Sequence, residues 1–149
     1  MPFRALILAS VFLAGVAEPA EKYPNLPRFS FYRMKTGEGI VSLVVPPSTT
    51  DRQLETLPRF IRDKVQQGRF ADLGIRHPTD KRFGKLGYGA GIIGVYRGAK
   101  CANEQFIDTL GPCGYGEHDA AGYQWGVDGN PKKDGAWIRS KNGDLRKVF

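Results

Sequence analysis

The pattern of apolar positions begins with two short runs that have the residue types of β-strands. Residues 29–34 are rich in aromatic residues, and residues 40–45 are β-branched and apolar almost without interruption. Thr-Gly-Glu-Gly separates the two runs, and Pro46 follows the second. Because a strand covered on both faces has a continuous apolar sequence, residues 40–45 are predicted to form a central strand. The two runs are expected to pair as a hairpin.

A helical pattern follows these strands. Thr50 and Gln53 have the spacing of a capping box at a helix start, and Gly68 is typical of a helix end. Pro58 lies inside the pattern, where it removes a backbone donor, and we expect a kink there. The apolar residues recur every three or four positions and so form one stripe that is expected to face the sheet: Leu54, Leu57, Ile61 and Val65.

The second half of the chain predicts more strands. Residues 69–91 carry many glycines and charges, so a long irregular connection is expected, which either has a function or contains short elements. Residues 92–96 predict the next strand and residues 102–110 a short helix. Three further strand segments end the chain, with Asn142-Gly143 as a tight turn between the last two: residues 122–128, 135–140 and 145–149.

One helix on a mostly antiparallel sheet is the simplest arrangement that buries both the helical stripe and the run at residues 40–45. The predicted class is therefore α+β, with one main amphipathic helix and a C-terminal β-meander. Trp125 and Trp137 fall on neighbouring predicted strands and are expected to lie near each other. They are interpreted either as core residues or as an exposed aromatic platform for a sugar, peptide or base.

The N-terminal residues have the order of a secretory signal. Arg4 precedes the apolar residues 5–13, and small residues follow as far as Ala17. This apolar run is too short to cross a bilayer as a helix. We therefore expect residues 1–17 to be a signal peptide and residues 18–149 to be a single domain. The expected location is secreted or periplasmic, with no integral membrane association after removal of the signal.

Length and charge limit the classes of function. The chain has 149 residues, which excludes a large multidomain enzyme, and 22 Lys and Arg against 15 Asp and Glu give a formal net charge of +7. A basic protein favours acidic partners. Cations and an aromatic residue alternate near the C-terminus and are the predicted binding residues: Lys132, Lys133, Trp137, Arg139, Lys141 and Lys147.

The partner that these residues favour is an anionic polymer or an acidic protein surface. Nucleic acid is less well supported, because an exported protein would need a further reason to bind it. The connection at residues 69–91 is expected to contribute to the same contact. The leading hypothesis is thus an exported binding or interaction module.

Cys101 and Cys113 are the only two cysteines, and an even number in an exported chain predicts a disulfide. A loop of that length is worth roughly 3 kcal/mol in the chain-entropy model. A reactive thiol or a metal site is the alternative, but His118 is the only histidine near these cysteines. No metal site is predicted.

A small secreted hydrolase of the phosphodiesterase or nuclease type is the alternative function. His118 stands between Glu117 and Asp119, and carboxylates beside a histidine can raise its proton affinity. In this alternative, His118 and Glu117 transfer protons. The chain has no Gly-Lys-Ser or Gly-Lys-Thr phosphate loop and no Gly-x-Ser-x-Gly turn, so no cofactor is predicted.

Overall fold

The computed structural model describes residues 22–35, 40–75, 89–103, 119–130 and 132–149. Within these ranges the chain forms a six-stranded sheet and one α-helix. The helix is α1 (Asp51–Gln66). The strands are β1 (Ser30–Lys35), β2 (Ile40–Val45), β3 (Gly91–Arg97), β4 (Asp119–Trp125), β5 (Gly135–Arg139) and β6 (Leu145–Lys147).

The strands lie in the sheet in the same order as in the chain. Every neighbouring pair is antiparallel except β2 and β3, which are parallel. A parallel pair needs a crossover connection, and α1 lies in the connection between these two strands. A mostly antiparallel sheet with one helix agrees with the predicted α+β class.

Both ends of α1 are determined by local sequence. The Gln53 N–H donates to Thr50 Oγ1 at 3.3 Å, and the Thr50 N–H donates to Gln53 Oε1 at 3.0 Å, which is the predicted capping box. At the other end, Gly68 has a φ of +68° and its N–H donates to the Val65 carbonyl at 3.0 Å. The next N–H, of Arg69, donates to the carbonyl five residues earlier at 2.8 Å, which completes a Schellman motif.

The helix continues through Pro58 as one span, and the kink expected at this residue stays a prediction. Pro58 is fully buried, together with Leu54, whose carbonyl would accept the missing N–H. Burial of the proline ring in the core helps to offset the lost hydrogen bond.

The core lies between α1 and one face of the sheet. The predicted stripe on α1 is buried there, and so are alternate residues of the central strands. These are the fully buried sheet residues: Val41, Leu43, Ile93, Val95, Ala121 and Tyr123. The predicted irregular connection contains a 3₁₀ turn at Phe70–Leu73, whose two end residues are also buried.

Some expected elements lie outside the described residues. This applies to most of the connection, at residues 76–88, and to most of the short helix expected at residues 102–110. In the part of the chain that the structure describes, no helix has the length and apolar character needed to span a membrane.

Candidate functional site

The face of the sheet that points away from α1, here called the distal face, carries one row of residues across five strands. Strand register places these residues side by side in the order Ser42, Gly94, Gly122, Trp137 and Lys147. The two glycines in the middle of the row leave room above the sheet. Aromatic rings occupy that room.

The Trp137 indole lies on Gly122. A Cβ atom at Gly122 would be 2.2 Å from Trp137 Cζ2, so only glycine leaves space for the ring. The indole Nε1–H donates to Asp119 Oδ2. Arg139 Nε donates to the other oxygen of the same carboxylate at 3.2 Å, and the Arg139 and Asp119 side chains are only 16% and 12% exposed. Arg139 therefore helps to hold the carboxylate that orients the indole.

A second ring lies beside the first. The Tyr96 ring folds over Gly94, where a Cβ atom would be 3.1 Å from Tyr96 Cε2 and 3.1 Å from its hydroxyl oxygen. Gly94 and Gly122 are register partners, so the two rings cover sheet positions about 5 Å apart. We call Trp137 and Tyr96 the aromatic platform. Both side chains are half-buried.

Exposed residues border the aromatic platform. Lys147 stands directly opposite Trp137 on β6 and is exposed. Leu145 on the same strand is 60% exposed, and Ile92 on β3 is 38% exposed. Among the described residues, the distal face thus combines the two rings with the exposed side chains of Leu145, Ile92 and Lys147.

We expected Trp125 and Trp137 to lie near each other, but the structure places their rings on opposite faces of the sheet. Trp125 has the same orientation on β4 as Tyr123, whose ring it stacks on with centroids 5.8 Å apart, and it is 5% exposed in the core. Trp137 pairs with Gly122 and so projects from the opposite face. The expectation was wrong because β-strand side chains alternate, and the observed register separates the two rings.

The predicted binding residues are divided among several surfaces. Trp137, Arg139 and Lys147 are on β5 and β6, with the contacts given above. Lys133 is paired with Asp128 in the loop before β5. Lys141 lies in the turn between β5 and β6, and Lys132 lies beside a cavity on the helix side of the sheet. A single continuous basic patch is therefore not formed by these six residues.

The helix-side cavity lies between the end of α1 and the end of β4 and has a volume of about 540 Å³. Its floor is apolar and nearly buried, since Val65 and Trp125 are 7% and 5% exposed. Its rim is polar. Among the described residues, those that line it are Arg62, Val65, Gln66, Gly89, Tyr123, Trp125 and Lys132.

Asp134 organises one side of this cavity. Its carboxylate, 8% exposed, accepts hydrogen bonds from Arg62 Nε at 2.7 Å, Gln66 Nε2 at 2.9 Å and the Tyr123 hydroxyl at 3.0 Å. Burial, and then the hydrogen bond to Asp134, raise the pKa of Tyr123 well above its usual value. The Arg62 guanidinium also lies over the Phe149 ring, with Cζ 4.6 Å from its centroid. The Arg62 side chain is thus held both by the Asp134 carboxylate and by the Phe149 ring.

A smaller cavity of about 360 Å³ lies at the start of α1, beside Lys141. Arg97 forms one wall, where its Nη2 contacts Asp51 Oδ1 at 2.6 Å and its Nε donates to the Thr49 carbonyl at 3.2 Å. These contacts tie β3 to the beginning of the helix. We interpret Arg97 as a structural residue.

Several predicted residues lie outside the described ranges: Glu117, His118 and Cys113. The hydrolase alternative therefore remains a prediction. Cys101 is buried and disulfide-bonded, and its pairing with Cys113 remains a prediction as well. Within the described ranges, no group of three or more His, Cys, Asp or Glu side chains is arranged to hold a metal ion.

The sequence patterns did not identify Asp134, Asp119 or Tyr96 as parts of a site. Asp134 contacts residues far away along the chain, and Asp119 was considered only as a neighbour of His118. A signal for the aromatic platform was present in the two glycines within β3 and β4, because a glycine inside a strand often marks a close approach.

The chain was compared with protein families, with curated proteins and with solved structures, and none of them matches it.

Proposed function

We propose that the protein is an exported binding module that holds an anionic polysaccharide on the distal face of its C-terminal β-meander. The observation that carries the proposal is the Trp137 indole, which lies flat on Gly122 and has Lys147 directly across from it. The signal peptide expected at residues 1–17 supplies the route of export.

A flat ring on a sheet suits a ligand that also has a flat, weakly apolar side. The face of an aromatic ring is electronegative and attracts the slightly positive C–H groups of a sugar ring. Trp137 is held in this orientation by Asp119, and Tyr96 covers the neighbouring position. Because the platform is fixed before binding, little conformational entropy is lost when a ligand stacks on it.

Charge supports an anionic ligand. The net charge of the chain is +7, which raises the local concentration of polyanions. Lys147 is exposed beside the platform, and none of the described acidic side chains pairs with it. Arg139, in contrast, is held by Asp119, so it positions Trp137 and contributes little net charge.

The test measures binding of the secreted protein to heparin, with dextran as the neutral polysaccharide, by titration calorimetry. Trp137→Ala should weaken heparin binding about 5- to 150-fold, since stacking on one ring contributes roughly 1–3 kcal/mol. Lys147→Gln should weaken heparin binding by up to about fivefold, which is the effect of losing an exposed ion pair. Trp137→Phe, which keeps a ring, should bind better than Trp137→Ala.

Lys132→Gln is the matched control, because Lys132 is also exposed and the charge change is the same, but it lies on the helix side. If Lys147→Gln and Lys132→Gln lose the same amount of heparin affinity, only net charge matters, and the proposal is overturned. Equal binding of heparin and dextran would remove the role of charge. If single-stranded DNA or polyglutamate binds more tightly than heparin and this binding depends on Trp137, the ligand of the distal face is a nucleic acid or an acidic protein instead of a polysaccharide.

A further inference from the structure

Strand β6 forms one edge of the described six-stranded sheet, and β5 is its neighbour. On one side of β6, the Val148 N–H donates to the Ala136 carbonyl at 2.8 Å. At the turn, the Ser140 N–H donates to the Asp144 carbonyl at 2.9 Å. Because hydrogen-bonded and non-hydrogen-bonded pairs alternate in an antiparallel ladder, these two bonds show which residues of β6 bond to β5.

Leu145 and Lys147 are the β6 residues whose backbone groups face away from β5. Both lie at the non-hydrogen-bonded positions of the ladder, on either side of Arg146. Among the described residues, no group bonds to the N–H or C=O groups of Leu145 and Lys147. The edge thus offers two donors and two acceptors with the spacing that another β-strand needs.

The side chains of β6 determine which strand this edge favours. Leu145 and Lys147 project from the distal face, as their register partners on β5 do. Leu145 is 60% exposed, and Lys147 is exposed. Arg146 projects from the helix side, where it is paired with Glu55. A strand added to this edge would therefore have one apolar and one cationic neighbour on the distal face, two residues apart.

A second copy of this chain fits the edge poorly. An antiparallel pair of β6 strands that uses all four outward groups places Arg146 of one copy directly opposite Arg146 of the other. Like charges directly opposite destabilise a sheet, and each copy has a net charge of +7. Short edge strands with cationic side chains prevent pairing between identical chains. The same charges attract an acidic strand.

We propose that the β6 edge binds an extended acidic segment of another protein, which adds a further antiparallel strand to the sheet. The acidic residue of this segment stands opposite Lys147, and an apolar residue two positions later stands opposite Leu145. Main-chain hydrogen bonds to the four outward groups hold the segment, and the two side chains select its sequence. This inference goes beyond the polysaccharide proposal, because it uses the backbone of β6 instead of the aromatic platform.

The probe is a peptide, Ser-Thr-Glu-Thr-Val-Thr-Ser, that is acetylated and amidated and has Glu two positions before Val. Titration followed by amide NMR measures its affinity. The peptide should shift the amide signals of Leu145 and Lys147 saturably and should slow their hydrogen exchange. In the free protein these two N–H groups should exchange faster than that of Arg146, because only Arg146 lies at a hydrogen-bonded position of the ladder.

N-methylation of the peptide tests the backbone pairing without altering the protein. In the proposed register, the Glu N–H donates to the Lys147 carbonyl, whereas the N–H of the next residue, Thr, points away from β6. Methylation of the Glu nitrogen should weaken binding about 2- to 12-fold, which is the effect of losing one net hydrogen bond. Methylation of that Thr nitrogen is the matched control and should leave the affinity unchanged.

Charge is tested at Lys147. Lys147→Gln should weaken peptide binding by up to about fivefold, which is the effect of losing an exposed ion pair. Lys132→Gln removes the same charge on the helix side and should leave the affinity unchanged. Replacing the peptide Glu with Gln should weaken binding to the unaltered protein but should have little further effect in Lys147→Gln, because the ion pair is already lost.

Three results would overturn the proposal: no saturable shift of the Leu145 and Lys147 signals, equal affinity for the two methylated peptides, or equal losses in Lys147→Gln and Lys132→Gln. A dimer of the unaltered protein in sedimentation, with the same two N–H groups protected, would make a second copy the occupant and would also overturn it. Heparin binding of the same samples tests the distal face without the β6 backbone, so either proposal can fail while the other stands.

Discussion

A methyl group at Gly122 would occupy space that the Trp137 indole already fills. In Gly122→Ala, the new Cβ would lie 2.2, 2.5 and 2.7 Å from three indole carbons. Carbon atoms in contact are normally at least about 3.5 Å apart, so the ring has to move by about 1.3 Å. Because the ring lies flat on Gly122, it moves perpendicular to its plane, which lengthens an in-plane hydrogen bond of about 2.9 Å to about 3.2 Å and bends it, so the Nε1 contact with Asp119 is weakened.

The free-energy change has opposing parts. Forcing a methyl group into a packed site costs about 1–3 kcal/mol, and weakening a hydrogen bond to a carboxylate adds part of the roughly 1.5–3 kcal/mol that such a bond contributes. Replacing glycine by alanine in a strand stabilises by about 0.5–1 kcal/mol. Because Asp119 retains Arg139 and is 12% exposed, we expect a net destabilisation of about 1–3 kcal/mol.

Urea unfolding followed by circular dichroism measures this change. Gly135→Ala is the matched control, because Gly135 is also a strand glycine and an added Cβ would meet nothing within 4 Å. It should be neutral or slightly stabilising. Trp137→Leu removes the indole, so adding Gly122→Ala to it should cost much less than Gly122→Ala alone. The placement of the indole is refuted if Gly122→Ala is as well tolerated as Gly135→Ala.

Two further predictions concern the helix and the core. Tyr123 has a raised pKa, so its phenol should keep its proton above the ordinary value of 10.0, and the stability that this contributes is present below pH 10 and is lost as the pH rises further. Ultraviolet titration of phenolate should show a late-titrating tyrosine that Tyr123→Phe removes, and an unchanged titration end would contradict it. Thr50→Ala removes the helix cap and should lower the free energy of unfolding by about 1 kcal/mol in urea. A loss below about 0.3 kcal/mol would show that the capping box contributes little.

Helix α1 shows how far local sequence determines structure. Its start at Thr50 and its end at Gly68 were both predicted, because caps depend on residues only a few positions apart. Pro58 lies inside this one continuous span and its ring is buried, and the kink expected there stays a prediction. The distant partners of the helix were also not predictable: Glu55 pairs with Arg146, and Asp63 pairs with Lys22.

The predicted binding residues show the opposite situation. The sequence indicated that cations and a tryptophan alternate near the C-terminus, but not which of them have partners. Lys133 and Arg139 have acidic partners, whereas Lys132 and Lys147 are on different sides of the sheet. For Arg139, Lys132 and Lys147 no local pattern contains this information, because it depends on which elements lie beside one another, whereas Lys133 pairs with a residue five positions earlier in the same loop.

The sequence by itself determined the α+β class, the caps of the helix, the approximate positions of the described strands and the positive net charge. These properties depend on composition and on neighbours within a turn or a strand. Only the tertiary structure decided that Trp125 enters the core while Trp137 lies on Gly122, and that Asp134 gathers Arg62, Gln66 and Tyr123. Side chains alternate along a strand, so a shift of one residue in register would move Tyr123, Trp125 or Trp137 to the other face of the sheet.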